Sequence, residues 1–277
     1  MSAKARTPKA RPRTQQWGER MSEGGDDADG PVLVTGASRR IGLAIAERFA
    51  REGRPVVLHA SPRSAEEAEL AAHAIRQRGG RAASAIADLA DADSTQRLIE
   101  QAGEAFGPLR LLVNNASIFE IDAAQDFSLE LYERQMQINL RAPLLLSRDF
   151  AAALPAGANG AIINILDQRV WRLTPRHFTY TLSKSALWTA TRTMAQAFAP
   201  RVRVNAVGPG PVFPNAALGE REFEMEARGV PLQRAADVSG VVDAVIYLSR
   251  AKSVTGQMIA VDSGQHLGWR TPDVAPE

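Results

Sequence analysis

The stretch PVLVTGASRRIG at 31–42 decides how the rest of the chain is read. Val32–Thr35 is a short apolar run ending in a glycine turn, the pattern of a buried first strand. Arg40–Arg51 follows with Ile41, Ala44, Ile45 and Phe49 at helical spacing, so the segment predicts strand, turn and helix. Gly36 lets the backbone approach a phosphate, and the helix beyond offers unpaired N–H groups at the positive end of its dipole. Ser38, Arg39, Arg40 and Ile41 stand at that mouth. Two positive charges at a helix start oppose the dipole, a local misfit that a bound anion explains. Taken alone, such a turn is also simply a tight strand-to-helix connection.

Working outward, strands and helices alternate. Val56–His59 reads as a strand, Ser64–Arg78 as a helix, Ala82–Ile86 as a strand, and Asp93–Phe106 as a helix stopped by Gly107-Pro108. Leu109–Asn114 is a fourth strand. Leu129–Leu154 is a long helical stretch in which Pro143 predicts a kink or a new turn. Ala161–Ile165 and Val202–Val207 are strands flanking a helix over Phe178–Phe198, and the breaker string GPGP occupies 208–211. A helix over Val238–Leu248 and a strand over Met258–Val261 close the series. This order implies right-handed crossovers and one doubly wound α/β domain over 31–268, with a parallel sheet of about seven strands flanked by helices. Ligands of such sheets bind beyond the carboxyl ends of the strands, where Thr35, Asp88, Asn114, Asp167 and Gly208 fall.

Composition removes several alternatives. The 277 residues are 45% hydrophobic, enough for a substantial core. Cysteine is absent, which excludes disulfides and thiolate metal sites and fits a reducing, cytoplasmic setting. No metal is expected. A net charge of +2 gives no reason to expect nucleic acid, and no apolar run approaches the ~20 residues that span a bilayer. Residues 1–30 mix Lys4, Arg6, Lys9, Arg11 and Arg13 with prolines and then an acidic, glycine-rich run, the composition of a disordered tail without a secretory signal. Residues 269–277 read as a C-terminal tail.

The second strand selects the dinucleotide. Sites that prefer NAD carry a carboxylate there for the ribose 2′-hydroxyl. Here the strand runs into His59-Ala60-Ser61 and then Arg63-Ser64, with no acid. Guanidinium and hydroxyl groups suit a 2′-phosphate, so NADPH is expected, with Arg39, Arg63 and Ser64 among its contacts and His59 beside them. Asp88 is placed to accept from the adenine amino group, or equally to cap the next helix, and Leu89 follows it. Asn114 and Ala116 end the fourth strand, where Asn114 suits either the cofactor or a structural job between strands. Pro209 and Gly210 complete the cofactor-facing rim.

Tyr180 and Lys184 are four residues apart on one helix and share a face. A phenol is a poor acid near neutral pH, with a reference pKa of about 10. A neighbouring ammonium is expected to lower it and make Tyr180 a general acid, while Lys184 also reaches the nicotinamide ribose. Asn139, within QINL at 137–140, suits holding a water that resupplies the proton, or capping a kink near Pro143.

TGASRRIG, NNAS (114–117), YTLSK (180–184), VRVNAVGPG (202–210) and VTGQMIAVDSG (254–264) together resemble the short-chain dehydrogenase/reductase family. That resemblance covers roughly 31–268 and implies a Rossmann fold, a homotetramer or dimer, and an Asn/Ser/Tyr/Lys catalytic set. Asn139, Tyr180 and Lys184 match three of the four. Two positions depart: Arg40 replaces the middle fingerprint glycine, and Asp167 replaces the catalytic serine. Both departures are similar to the pteridine reductase branch, which includes the bacterial dihydromonapterin reductases, as are the paired arginines, the aromatic Phe119 after NNAS, and the LH…RSA segment after strand two.

The chemistry runs the same way. A carboxylate at 167 would repel a developing ketone oxygen but accept from the ring N–H and amino groups of a pterin; alternatively Asp167 is protonated and helps deliver the proton. Phe119 offers an aromatic face for a flat ring, or packs a lid loop. Arg40 is suited to bridge cofactor phosphate and substrate oxygen, or to clamp the phosphate alone, and Ser117 to touch both ligands. The expected reaction is hydride transfer from NADPH to a C=N bond of a dihydropterin with Tyr180 as proton donor. An NADPH-dependent carbonyl or 3-oxoacyl reductase, and a non-catalytic dinucleotide-binding regulator, are the alternatives. Phe213–Glu226 is expected to form a substrate lid, with Trp171 and His177 lining the pocket or packing the loop before Tyr180.

Overall fold

The structure, a computed structural model, describes residues 30–214 and 219–269. The expected tails at 1–30 and 269–277 therefore lie outside it, apart from Gly30 and Trp269. Seven strands, β1 (Val32–Val34), β2 (Val56–Ala60), β3 (Ala82–Ile86), β4 (Leu111–Asn114), β5 (Gly160–Ile165), β6 (Val202–Pro209) and β7 (Met258–Val261), form one sheet. Its order is β3-β2-β1-β4-β5-β6-β7, and every pairing is parallel. The chain winds outward from β1 in both directions, so the switch point lies between β1 and β4.

Both faces are covered because the strands are apolar on both sides. Val32 and Val34 join one core layer with Ile45, Phe49, Val241 and Val245. Leu33, one residue out of phase, joins the other with Leu98, Leu146, Phe150 and Val204. The first layer is closed by α1 (Arg40–Arg51), α2 (Ala65–Gln77) and α8 (Val238–Arg250). The second is closed by α3 (Ala92–Phe106), α5 (Ala142–Ala153) and α6 (Phe178–Ala197). Strands and helices expected from the sequence appear with ends shifted by one or two residues; β6, however, runs through Gly208 and Pro209 before the chain turns away.

The long helical stretch after residue 128 starts anew near Pro143: α4 (Leu129–Met136) passes through a π-helical turn at Gln137–Arg141 into α5. Pro143 sits in the first turn of α5, where its missing N–H costs nothing, so the new start is its doing. The segment expected as a lid takes in the first part of α7 (Gly219–Gly229); residues 215–218 lie outside the described chain. Among the described residues no helix is long and apolar enough to cross a membrane.

Candidate active site

A cleft of about 970 Å³ runs along the carboxyl ends of the strands, from Arg63 and Asp88 at one extreme to Phe119, Asp167 and Tyr180 at the other. Gly36, at φ +62°, makes the turn that a side chain would resist. A Cβ on Gly42 would stand 2.3 Å from the Gly36 carbonyl oxygen and 2.6 Å from Asn115 Nδ2, so the helix start packs directly on the turn. Two neighbours hold that turn. Asn115 Nδ2 donates to the carbonyls of Thr35 (2.8 Å) and Gly36 (3.0 Å), and Thr35 Oγ1 accepts from the N–H groups of Asn115 and Ala116 (both 2.9 Å).

His59 braces the turn from β2. The Gly36 N–H donates to its Nδ1 (3.2 Å), which makes the other nitrogen the donor to the Ala87 carbonyl (3.1 Å). Burial holds this imidazole neutral, its pKa lowered to about 4 against the weaker pull of Ala87 and Asp88.

Helix α1 opens without an acidic residue in its first turn and without a side-chain cap, leaving its leading N–H groups to an external acceptor. Arg40 adopts φ +53°, so this arginine takes the left-handed conformation that a glycine would take without strain. Its Nη2 donates to the Pro214 carbonyl (2.6 Å), and its guanidinium lies 5.7 Å from the Phe213 ring centre. Arg39 forms an exposed ion pair with Glu67 at 3.9 Å. Ser38, Ile41, Arg63, Ser64, Asp88, Leu89, Ala116, Ser117, Pro209 and Gly210 all line the cleft. Asp88 does not cap α3; it accepts from Ala90 N–H, and Asp91 is the cap. Cationic and hydroxyl donors at the β2 end, with no carboxylate there, fit NADPH.

Asn114 is the correction at this end. It is 3% exposed, off the cleft wall, and donates to Asn164 Oδ1 (2.8 Å) and Ser147 Oγ (3.3 Å). As the last residue of β4, it points into the sheet's flank, so the structural reading holds and the next residue, Asn115, serves the site.

At the reacting end, Tyr180 projects from α6, and its hydroxyl donates to Asp167 Oδ2 (3.2 Å). Asp167 also accepts from the Arg169 N–H (2.8 Å) and from Arg169 Nη1, which is shared between its two oxygens (3.3 and 3.1 Å). Asp167 thus lies against a guanidinium, a backbone N–H and the phenol at once.

Tyr180 also departs from expectation. Burial, reinforced by the Asp167 charge, raises its pKa well above the ordinary value, with Arg169 and Ser117 opposing. Lys184 does not reverse this. Its Nζ donates to the Ile165 carbonyl (2.8 Å), lies 5.7 Å from the Tyr180 ring centre, and burial lowers its pKa to about 8 against the pull of Asp167. An ammonium bonded elsewhere, facing the ring and not the hydroxyl, is a weak acidifier.

Asn139 lies within the π-helical turn, a common marker of functional sites. Its Oδ1 accepts from Ile118 N–H (2.9 Å) and Ser117 Oγ (3.1 Å), and its Nδ2 donates to the Ile118 carbonyl (2.9 Å) and Ser183 Oγ (3.2 Å). That amide is filled by protein partners, so its side chain clamps the 117–118 loop and does not hold a water. Phe119 stacks on His177 (4.1 Å, 19° between planes) and meets Tyr180 edge-on (4.7 Å). His177 is buried beneath it; Trp171 packs outside the cleft on Trp188 and His266. Phe213 and Glu226, the ends of the expected lid, do line the cleft.

Sequence reading missed Asn115 and Arg169, and named Glu226 only as the end of the lid segment. Asn115 had a signal, as the second amide of NNAS; Arg169 carries none beyond proximity to Asp167.

The fold and this site define a class, and the comparisons agree. A family model described as enoyl-(acyl carrier protein) reductase matches residues 36–266. A short-chain type dehydrogenase/reductase of Picea abies is 34% identical over 84% of this chain and 91% of its own. The chain belongs to the short-chain dehydrogenase/reductase family. Within it, the chain falls in the pteridine reductase-like branch. The FolM alternative dihydrofolate reductase 1 of Brucella suis, crystallised with NADP, is 48% identical over 90% of this chain and 99% of its own, with a TM-score of 0.86. The dihydromonapterin reductase of Klebsiella pneumoniae is 32% identical over 86% of this chain and 97% of its own.

Proposed function

We propose that the protein reduces a C=N bond of a dihydropterin with NADPH as reductant. The observation that carries this reading is the pairing of the Tyr180 hydroxyl with the Asp167 carboxylate at the reacting end of the cleft. A carboxylate only accepts, so a substrate it orients has to bring N–H donors, as the ring and amino nitrogens of a pterin do. A simple ketone brings none.

The raised pKa of Tyr180 points the same way. This phenol stays protonated at neutral pH and is a weak donor. An imine nitrogen is more basic than a carbonyl oxygen, so it needs less acid strength from its partner. Gly36, Ser38, Arg39, Arg40 and Ile41 would hold the pyrophosphate, Arg63 and Ser64 the 2′-phosphate, and Asp88 and Leu89 the adenine. Ala116, Ser117, Lys184, Pro209 and Gly210 would line the nicotinamide half. When bound, NADPH supplies the hydride; Tyr180 holds the proton for nitrogen, and Asp167 orients the ring.

Carbonyl reduction is the second reading, favoured by one observation: Arg169 balances the Asp167 charge and so lessens repulsion of a substrate oxygen. NADPH oxidation assayed with dihydromonapterin, dihydrobiopterin, dihydrofolate and a ketone panel separates the two. Turnover of dihydropterins, lost more than that of any ketone in Asp167→Ser, is the expected result. Equal losses, or turnover of ketones alone, would overturn the assignment.

A further inference from the structure

We propose that Arg169 is an internal competitor for the place of the heterocycle, and that Glu226 receives its guanidinium when substrate enters. This rests on the dihydropterin reading. Asp167 and Phe119 are the two groups that reading gives to the ring, and Arg169 engages both. Its Nη1 is shared between the two oxygens of Asp167, and its guanidinium carbon lies 5.3 Å from the Phe119 ring centre. Since His177 is stacked on the same ring, a flat ligand has to displace one of these two neighbours. His177 is fixed: its ring bonds the Glu120 carbonyl (3.0 Å), and its backbone N–H bonds the Asp122 carbonyl (2.9 Å). Arg169 is held only at the end of a flexible stem.

The chemistry of the two occupants matches. A guanidinium is a planar N–C–N unit presenting N–H donors, and the 2-amino-pyrimidine edge of a pterin presents the same unit. Either satisfies a carboxylate in the same plane while lying on an aromatic face. The guanidinium is also incompletely satisfied, because Arg169 Nε is buried with no hydrogen-bond partner among the described residues. Leaving therefore costs less than breaking a complete network. A destination is at hand. Arg169 Nη2 already lies 3.7 Å from Glu226 Oε1, and that carboxylate on α7 is itself held by Gln265 Nε2 (2.7 Å).

The test uses the full-length enzyme with NADPH and a dihydropterin that the wild type reduces. In Arg169→Ala the KM for dihydropterin is expected to fall roughly tenfold, the weight of one displaced charge-assisted hydrogen bond, and kcat/KM to rise. Millimolar guanidinium chloride should then inhibit the variant competitively against dihydropterin and not against NADPH. Glu226→Gln, which weakens the destination, should raise KM. A higher KM and lower kcat/KM in Arg169→Ala, relieved rather than worsened by guanidinium, would overturn the proposal by making Arg169 a substrate contact. Arg169→Gln carries the same comparison should the alanine variant fail to fold. If the wild type reduces no dihydropterin, the functional reading itself falls, and this proposal with it.

Discussion

At the dinucleotide end of the cleft the backbone sets the geometry, whereas at the reacting end side chains from separate elements set it. Gly36, Gly42 and the turn after β4 fit together through main-chain approach, with Thr35, Asn115 and His59 bracing peptide groups. At the other end, Asp167, Arg169, Phe119, Tyr180 and Glu226 meet from a strand end, a short turn, a loop and two helices. The first kind of site is dictated by local sequence and tolerates little change in shape. The second can alter its chemistry by exchanging single side chains, as an aspartate in place of a serine illustrates.

The sharpest way to separate the two ends is Tyr180→Phe. Turnover should fall at least ~100-fold, the usual weight of a general acid, while NADPH affinity by titration stays close to wild type. Loss of both together would mean that the ends are not independent.

His59 tests the bracing at the dinucleotide end through pH. Its folded pKa of about 4 lies below the ordinary 6.5, so the unfolded chain takes up the proton first as pH falls. The contribution of neutral His59 is complete above pH 6.5 and is lost progressively down to about pH 4, by on the order of 3 kcal/mol. Denaturation midpoints measured across that range should slope accordingly, and His59→Gln should flatten the slope. An unchanged slope would remove His59 from the account.

Gly42→Ala places a carbon 2.3 Å from a carbonyl oxygen that cannot move aside. Overpacking of this kind costs about 2 kcal/mol, visible by chemical denaturation, and should weaken NADPH binding as well. A stable variant with full NADPH affinity would show that the turn is less rigid than its packing implies. The smallest effect is expected at the rim, where Arg63→Ala should cut the preference for NADPH over NADH roughly tenfold, read from the ratio of the two kcat/KM values. An unchanged ratio would assign the 2′-phosphate to Arg39 instead.

The sheet and its winding were legible because each strand is a short apolar run between breakers, and the crossover rule leaves few topologies. Most of the cleft wall was legible too, since strand ends line the crevice. What escaped has one cause. Asn114 and Asn115 are adjacent amides, and where β4 ends decides which bonds within the sheet's flank and which bonds the turn. Asn139 looked available for a water until the 117–118 loop folded onto it. Tyr180 is less acidic than its spacing from Lys184 implies, because burial and a carboxylate outweigh the shared helix face.

The sequence by itself determined the α/β architecture, the anion-binding turn, the absence of an acid at the β2 end and the Tyr180/Lys184 pair. These depend on local periodicity and on residues within one helical turn of each other. Only the tertiary structure decided that His177 and the Arg169 guanidinium meet on the Phe119 ring, and that Glu226 reaches that guanidinium from α7. Charge balance and burial are properties of neighbours in space, and residues some sixty positions apart in the chain become neighbours only when the sheet has formed.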